Sequence, residues 1–418
     1  MRRIPQSYLD ELMAKTPLVD VINERVPLKR TGNEYTACCP FHAENSPSFT
    51  VTPEKNFFHC FGCGAHGNAL NFVMQYEALD FIPAVELLSQ RAGLQVPRAE
   101  VNRPREASPH APLLAACERA RQVFIDQLKS PPAQSYLHAR RLDPSVCEAF
   151  DVGFAGDEWA TVKGELGRGA EAAGLAVGLL AKADSGHTYD RFRSRLMFPI
   201  RDVRGRVIGF GGRLLSNGSP KYVNSSESPI FHKGQELYGL FQVLRKHRQV
   251  PRLIAVEGFI DVLTMHAYGL DTAVATMGTA MTEAQIALMF KHTSNVYLCF
   301  DGDRAGRDAA TKALQALMPA MAGDRQASFV FLPADHDPDS LLHAQGAEAF
   351  EQLLSDATPL SDFLFNELQD GLNLAQLDGR ARLAERAFPL IESAPPGALR
   401  ELMRRHLVQL TGLTERPH

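Results

Sequence analysis

The sequence predicts a multidomain chain that is α+β over its first part and α/β over its second, and that closes in helices. Three observations carry this. The chain has 418 residues, too many for one core at roughly 100–200 residues per domain. Residues 98–112 contain Pro104, Pro109 and Pro112 among charged and small residues, with no apolar periodicity, and read as a linker. From 251 onward, short apolar runs alternate with helical patterns, the signature of a parallel sheet.

Hydrophobic residues make up 45 %, a share that can build real cores. The net charge is -4, which taken alone argues against a nucleic-acid partner. A local basic field would answer that objection. No apolar run is long enough to span a bilayer, and Met1-Arg2-Arg3-Ile4-Pro5 opens no secretory signal. The expectation is a cytoplasmic chain with no membrane partner. Of seven cysteines, Cys38, Cys39, Cys60 and Cys63 cluster, while Cys117, Cys147 and Cys299 are scattered. An odd count with one cluster favours metal ligation over a disulfide framework.

The first domain is expected at 1–97. It opens with a helical pattern (Tyr8, Leu9, Leu12, Met13, then Val19 and Ile22), and further helices are expected at 69–76 and 82–91. Between them, Cys39-Pro40-Phe41-His42 and Cys60-Phe61-Gly62-Cys63 form two ligand pairs of two-residue internal spacing. Two such pairs around a hairpin close a tetrahedral site, a zinc ribbon. With all four positions filled by Cys39, His42, Cys60 and Cys63, the expected Zn2+ is single and structural. Cys39 is preferred to Cys38 because it makes the spacing to His42; His59 and His66 are alternative ligands. Phe41, Phe49, Phe57, Phe58 and Phe61 surround the site, most of them as core, with one or two open to stacking on single-stranded bases.

After the linker, a mixed α/β basic subdomain is expected at 113–250. Strands at 196–200 and 207–210, with Arg204-Gly205 between them, read as a hairpin. Seven arginines lie between Arg191 and Arg213 (Arg191, Arg193, Arg195, Arg201, Arg204, Arg206, Arg213) against one acid, Asp202. Lys221 and Lys233 follow, and Tyr222 is a candidate stacker. Guanidinium forks suit phosphate oxygens, so the stretch reads as a nucleic-acid or nucleotide track.

The third segment, 251–339, is the parallel βαβ sheet, with strands expected at 253–256, 273–275, 296–300 and 329–332. Val256-Glu257-Gly258 follows the first strand and Phe300-Asp301-Gly302-Asp303 the third. Ligands of open parallel sheets bind at the carboxyl ends of strands, so Glu257, Asp301 and Asp303 are expected to converge. Asp261, Asp337 and Asp339 lie near in sequence. Carboxylates gathered this way hold hard divalent cations, Mg2+ or Mn2+, suited to phosphodiester chemistry. Residues 340–418 read as a helical bundle.

These motifs together resemble the bacterial DnaG-type primases. Cys39-Pro40-Phe41-His42, Glu44-Asn45-Ser46-Pro47-Ser48-Phe49 and Phe58-His59-Cys60-Phe61-Gly62-Cys63-Gly64 are similar to that family's zinc domain. Arg191-Phe192-Arg193, Gly209-Phe210-Gly211-Gly212-Arg213, Pro220-Lys221-Tyr222 and Phe231-His232-Lys233-Gly234 resemble its N-terminal polymerase subdomain. Val256-Glu257-Gly258-Phe259-Ile260-Asp261-Val262, Phe300-Asp301-Gly302-Asp303-Arg304-Ala305-Gly306 and Asp337-Pro338-Asp339 resemble its TOPRIM fold. The resemblance implies synthesis of short RNA primers from NTPs on single-stranded DNA at the replication fork. It implies Mg2+ or Mn2+ at Glu257, Asp261, Asp301, Asp303, Asp337 and Asp339. It implies NTP, template or nascent primer at Arg191, Arg193, Arg213, Lys221, Tyr222 and Lys233. Family members usually continue into a domain that docks the replicative helicase; because the chain stops at His418, that domain is expected to be absent. A nuclease using the same acids, or a zinc-ribbon DNA-binding protein without catalysis, are the rival readings. No G-x-x-x-x-G-K-[ST] loop supports a primase–helicase.

Overall fold

The computed structural model describes residues 4, 6–42, 44, 46–77, 79, 81–96, 109–216, 218–277 and 281–413. Most of the expected linker at 98–112 therefore lies outside the described residues. The chain divides into two compact units, Met1–Glu106 and Ala107–His418. No helix among the described residues is long and apolar enough to cross a membrane.

The first unit is built on a five-stranded antiparallel sheet: Lys29–Thr31, Glu34–Ala37, Phe49–Thr52, Phe57–Cys60 and His66–Gly67, paired in sequence order. Phe49, Val51 and Phe58 point to its covered face and are fully buried, following the period-2 alternation of a strand with one face in the core. The helices Leu18–Asn23, Ala69–Tyr76 and Phe81–Arg91 supply Val21, Ile22, Phe72, Val73 and Val85 to the same cluster. Asn68 caps the second of these by exchanging side-chain and backbone bonds with Asn71, which meets two of the free amides at a helix start.

Among its described residues the second unit carries a two-stranded ribbon, Leu180–Lys182 with Thr188–Asp190, and two larger sheets. A four-stranded antiparallel sheet runs Tyr222–Asn224, Val207–Leu214, Arg195–Arg201, Gly153–Ala155. Its central hairpin is longer than the residue pattern suggested. Asp202 shapes the turn, its carboxylate accepting from the amides of Arg204 and Arg206 at 3.0 and 2.9 Å, and Gly205 takes φ +81, a conformation that favours glycine. Helices Ala111–Gln127, Pro131–Ala139 and Pro144–Ala149 belong to this part.

The other sheet runs Ala273–Ala275, Leu253–Val256, Asn295–Phe300, Gln326–Phe331 in parallel, with Thr358–Pro359 as an antiparallel edge. The first strand in sequence, Leu253–Val256, lies between the second and third. The chain thus winds off it in both directions, and the crevice beside its carboxyl end is a switch point where ligands bind. The terminal helices Leu360–Gln369, Leu377–Ser393 and Ala398–Thr411 share the core of this sheet: Phe363, Leu364, Phe388, Ile391 and Leu407 cluster with Val296, Leu298 and Phe329. Phe363 stacks on Phe329 with ring centroids 4.2 Å apart, a contact of the kind worth about 0.5–1.5 kcal/mol beyond the area it buries.

Candidate functional site

In the first unit, Cys39, His42, Cys60 and Cys63 bring their ligand atoms within 4.8 Å of one another. Cys39 is buried and Cys38 exposed, which resolves the choice between neighbours. His59 and His66 stand outside the set; their rings face Phe61 and each other. The donors fit a tetrahedral zinc: three sulfurs and one imidazole with no position left over. Burial works against the Cys60 thiolate, but the Ser48 hydroxyl and the amides of Cys63 and Gly62 outweigh it and bring the thiol down to about 6. Gly64 needs its freedom, with φ +75. Gly62 needs only room, since a Cβ there would stand 2.7 Å from His42 Nε2. Glu44, which motif reading did not single out, ties the ligand loop together. Its carboxylate accepts from the Cys39 amide at 2.6 Å and from the Ser48 hydroxyl at 2.5 Å, and lies 3.2 Å from His42 Nε2. That is the carboxylate behind a metal-bound histidine that fixes ring orientation. Of the surrounding aromatics, Phe49 and Phe58 are core, while Phe61 is 76 % exposed.

In the second unit the acids gather at the switch point. Glu257 follows the strand Leu253–Val256, and Asp301 and Asp303 follow Asn295–Phe300. A cavity of about 510 Å3 is lined by Glu257, Asp301, Asp303, Asp308 and one cation, Lys312. A second, of about 440 Å3, shares Glu257 and Asp301 and adds Asp261, Asp337, Asp339, Arg140, Arg213, Lys221 and Tyr222. The six expected acids are thus brought together along two cavities with a common wall. They do not close into one cage: among the described residues, only the zinc set has all its ligand atoms within 4.8 Å.

Close backbone approach explains the glycines here, not left-handed φ. A Cβ on Gly302 would stand 2.1 Å from the Leu332 carbonyl oxygen, and one on Gly306 2.1 Å from that of Asp301. Asp303 caps the helix Arg304–Leu317 by accepting from the Gly306 amide at 2.8 Å. Asp337 caps Pro338–Ser355 through a reciprocal pair with Ser340 and still faces the cavity, so one carboxylate serves both helix start and site.

Negative charge in this crevice is only partly compensated by Arg140, Arg213, Lys221 and Lys312. Burial, then Asp301 and Asp303, raise the Glu257 carboxyl; burial, then Asp303 and Asp337, raise Asp301. Burial, then Asp337 and Asp339, push Asp261 up to about 7, against one favourable bond from the Asp339 amide. Burial also opposes the Asp337 carboxylate, but Ser340 and Arg140 outweigh it and hold it below the usual range. Hard oxygen donors in this state fit a divalent cation, which relieves the repulsion.

The residues of the basic stretch stand in different surroundings. Arg213, Lys221 and Tyr222 line the acid-bearing cavity, with the Arg213 guanidinium donating to the Tyr222 hydroxyl at 2.5 Å. Arg195 is buried and donates to the carbonyls of Gly212, Pro220 and Lys221 at 3.0–3.2 Å; it braces the loop that carries Lys221. Arg201 and Arg206 pair with Asp151 and Asp202. Arg191 bonds Ser226, Arg193 lies over the Trp159 ring, and the Lys233 amide donates to Glu227. None of these last three lines either acid-bearing cavity. Arg140 was not legible as a site residue. It lies outside the basic stretch, and only the fold carries it to the acids, 3.4 Å from Asp339.

An acid-lined switch point beside a cationic wall, on a parallel sheet, defines a Toprim-class nucleic-acid enzyme; the Toprim-like family model matches residues 254–342. The CHC2 zinc finger model matches 4–104, and the DNA primase catalytic core N-terminal model 122–244. The DNA primase of Escherichia coli K12 is 45 % identical over 99 % of this chain and 72 % of its own length. A DnaG primase catalytic domain bound to ssDNA matches at TM-score 0.68 and 44 % identity, over 71 % of this chain and 98 % of that one. The zinc-binding and RNA polymerase domains of the Aquifex aeolicus primase match at TM-score 0.64 and 32 % identity, over 97 % of each chain. The chain belongs to the DnaG primase family. Its activity is that of a DNA primase, DNA-directed synthesis of RNA primers.

One expectation is overturned. The model for the DnaB-helicase binding domain of primase matches residues 361–416, so the helicase-docking region is not missing. It reads as the helical end of the polymerase core because its apolar faces pack into the same core as the parallel sheet, leaving no linker or composition change to mark it.

Proposed function

We propose that Glu257, Asp301 and Asp303, with Asp261, Asp337 and Asp339, hold Mg2+ or Mn2+ for primer synthesis, and that Arg213, Lys221 and Tyr222, with Arg140, receive the phosphates of NTP or template. The observation that carries this is the shared wall: one cavity is acidic with a single cation, and its neighbour, sharing Glu257 and Asp301, brings three further acids and three cations to the same place. Divalent cations there supply charge neutralisation for the attacking 3'-hydroxyl and the departing pyrophosphate. The chain's own part is placement. Arg195 fixes the Lys221 loop, Arg213 and Tyr222 hold each other, and the helix caps set Asp303 and Asp337.

Arg191, Arg193 and Lys233 extend the track along single-stranded DNA and the nascent primer. The zinc unit reads the start site, with Phe61 as its stacking side chain. The working division is 1–97 zinc ribbon, 98–112 linker, 113–250 polymerase subdomain, 251–339 catalytic sheet and 340–418 helical subdomain. The match at 361–416 supports docking of a replicative helicase there, at the bacterial replication fork in the cytoplasm. Labelled NTPs test the reading: label is expected in RNA only with single-stranded DNA and Mg2+ or Mn2+ present. Cut DNA without NTPs, and no RNA, would favour the nuclease.

A further inference from the structure

Asp339 is 5 % exposed, in the first turn of the helix Pro338–Ser355. An ionised carboxylate at that depth needs partners for its oxygens. The Thr264 hydroxyl donates to Oδ1 at 2.6 Å, and the same oxygen lies 3.3 Å from Nε2 of His343. Oδ2 turns the other way, toward Arg140 at 3.4 Å, a residue of the cavity wall.

Both inward partners are fixed in turn. Thr264 is 2 % exposed on the helix Phe259–Ala267, three residues after Asp261, so one helix face delivers both. His343 stands four residues after Asp339 on its own helix, one turn on. Its Nδ1 lies 3.1 Å from the Tyr268 hydroxyl. With the phenol donating to Nδ1, the ring keeps its proton on Nε2, a buried nitrogen that makes no hydrogen bond in this geometry and stands 3.3 Å from Oδ1 of Asp339, near enough for a small ring movement to close the bond.

We propose that Thr264 and His343, the latter steadied by Tyr268, are positioning residues for the metal centre. They hold Oδ1 of Asp339 inward and leave Oδ2 as the oxygen offered to the cation. The inference rests on the reading of Asp339 as a cation ligand. It gives the third acidic motif a supporting layer drawn from two helices. A purely structural role, knitting those helices together, would change stability and not metal affinity.

Mn2+ binding to the 418-residue chain, followed by loss of the free-ion paramagnetic signal, separates these cases. The set is wild type, D339N, T264V, T264S, H343L and Y268F, each with its melting temperature. Removing such supporting contacts typically costs about 10–100-fold in metal affinity. That loss is expected for T264V and H343L, a smaller one for Y268F, and near-recovery for T264S. If T264V and H343L bind Mn2+ as tightly as wild type while D339N does not, the positioning role is wrong and the ligand reading stands. If D339N itself binds as wild type, the ligand reading fails and the inference with it. If T264S is as weak as T264V, or affinity only follows melting temperature across the set, the helix-packing role is the true one. Should T264V fail to fold, H343L and Y268F decide by the same criteria.

Discussion

Asp261→Asn should stabilise this protein when magnesium is absent. Asp261 sits in the crevice among Asp337, Asp339 and Asp301, and its folded-state value of about 7 stands against an ordinary 3.8. At about 1.4 kcal/mol per pH unit, keeping it ionised at pH 8 costs the metal-free fold about 4 kcal/mol. Solvent that still reaches the side chain trims this to about 2–4 kcal/mol. An acid raised in the fold contributes stability at low pH that is lost as pH climbs from about 4 to about 7. The asparagine removes that loss and still accepts from the Asp339 amide. Calorimetry of the second unit's transition, in buffer without magnesium or chelator so that zinc is retained, reads the effect. At roughly 2–4 °C per kcal/mol, D261N should melt on the order of 5 °C or more above wild type at pH 8. The gap should shrink to about half at pH 5, and added Mg2+ should stabilise wild type more than the variant. A variant that melts no higher than wild type at pH 8, or a gap that widens on acidification, would refute the reasoning.

Three further outcomes follow from the same geometry. Cys60→Ser should abolish zinc retention and unfold the first unit, because structural zinc contributes about 10–16 kcal/mol of apparent binding free energy; the second unit's melting should be unchanged, and both are read by metal analysis and calorimetry. Removing residues 1–106 should leave the second unit folded and impair start-site-specific initiation more than extension of a supplied primer, whereas equal loss of both would deny the zinc unit a reading role. Lys221→Ala should weaken single-stranded DNA binding on all sequences and lower the slope of log affinity against log salt by about 1; an unchanged slope would remove Lys221 from the phosphate track.

What was legible in the sequence was what local spacing encodes. Two-residue spacing determines which cysteines and histidine can share a zinc, and strands alternating with helices place Glu257 and Asp301 at the carboxyl ends of neighbouring strands. What was not legible depends on contacts between distant segments. Glu44 matters through the loop it closes. Arg140 and Thr264 reach Asp339 only after helices from different parts of the chain pack. The arginine stretch looked uniform, yet Arg195 turns inward to the carbonyls of Gly212, Pro220 and Lys221, while Arg201 and Arg206, at the turn end of the hairpin, meet Asp151 and Asp202; these partners lie on other segments or in the turn, and composition does not show them. The helicase-binding segment was hidden for a similar reason: helices that complete another domain's core carry the same apolar periodicity as that domain's own.

The central claim is that Asp301 belongs to a centre that joins nucleotides. Asp301→Ala and wild type, given single-stranded DNA, Mg2+ and labelled NTPs, with the DNA strand carrying a second label, test it most directly. Wild type should make short RNA and leave the DNA intact, and the variant should make no RNA while retaining zinc and its melting transitions. RNA synthesis that survives Asp301→Ala would contradict the account.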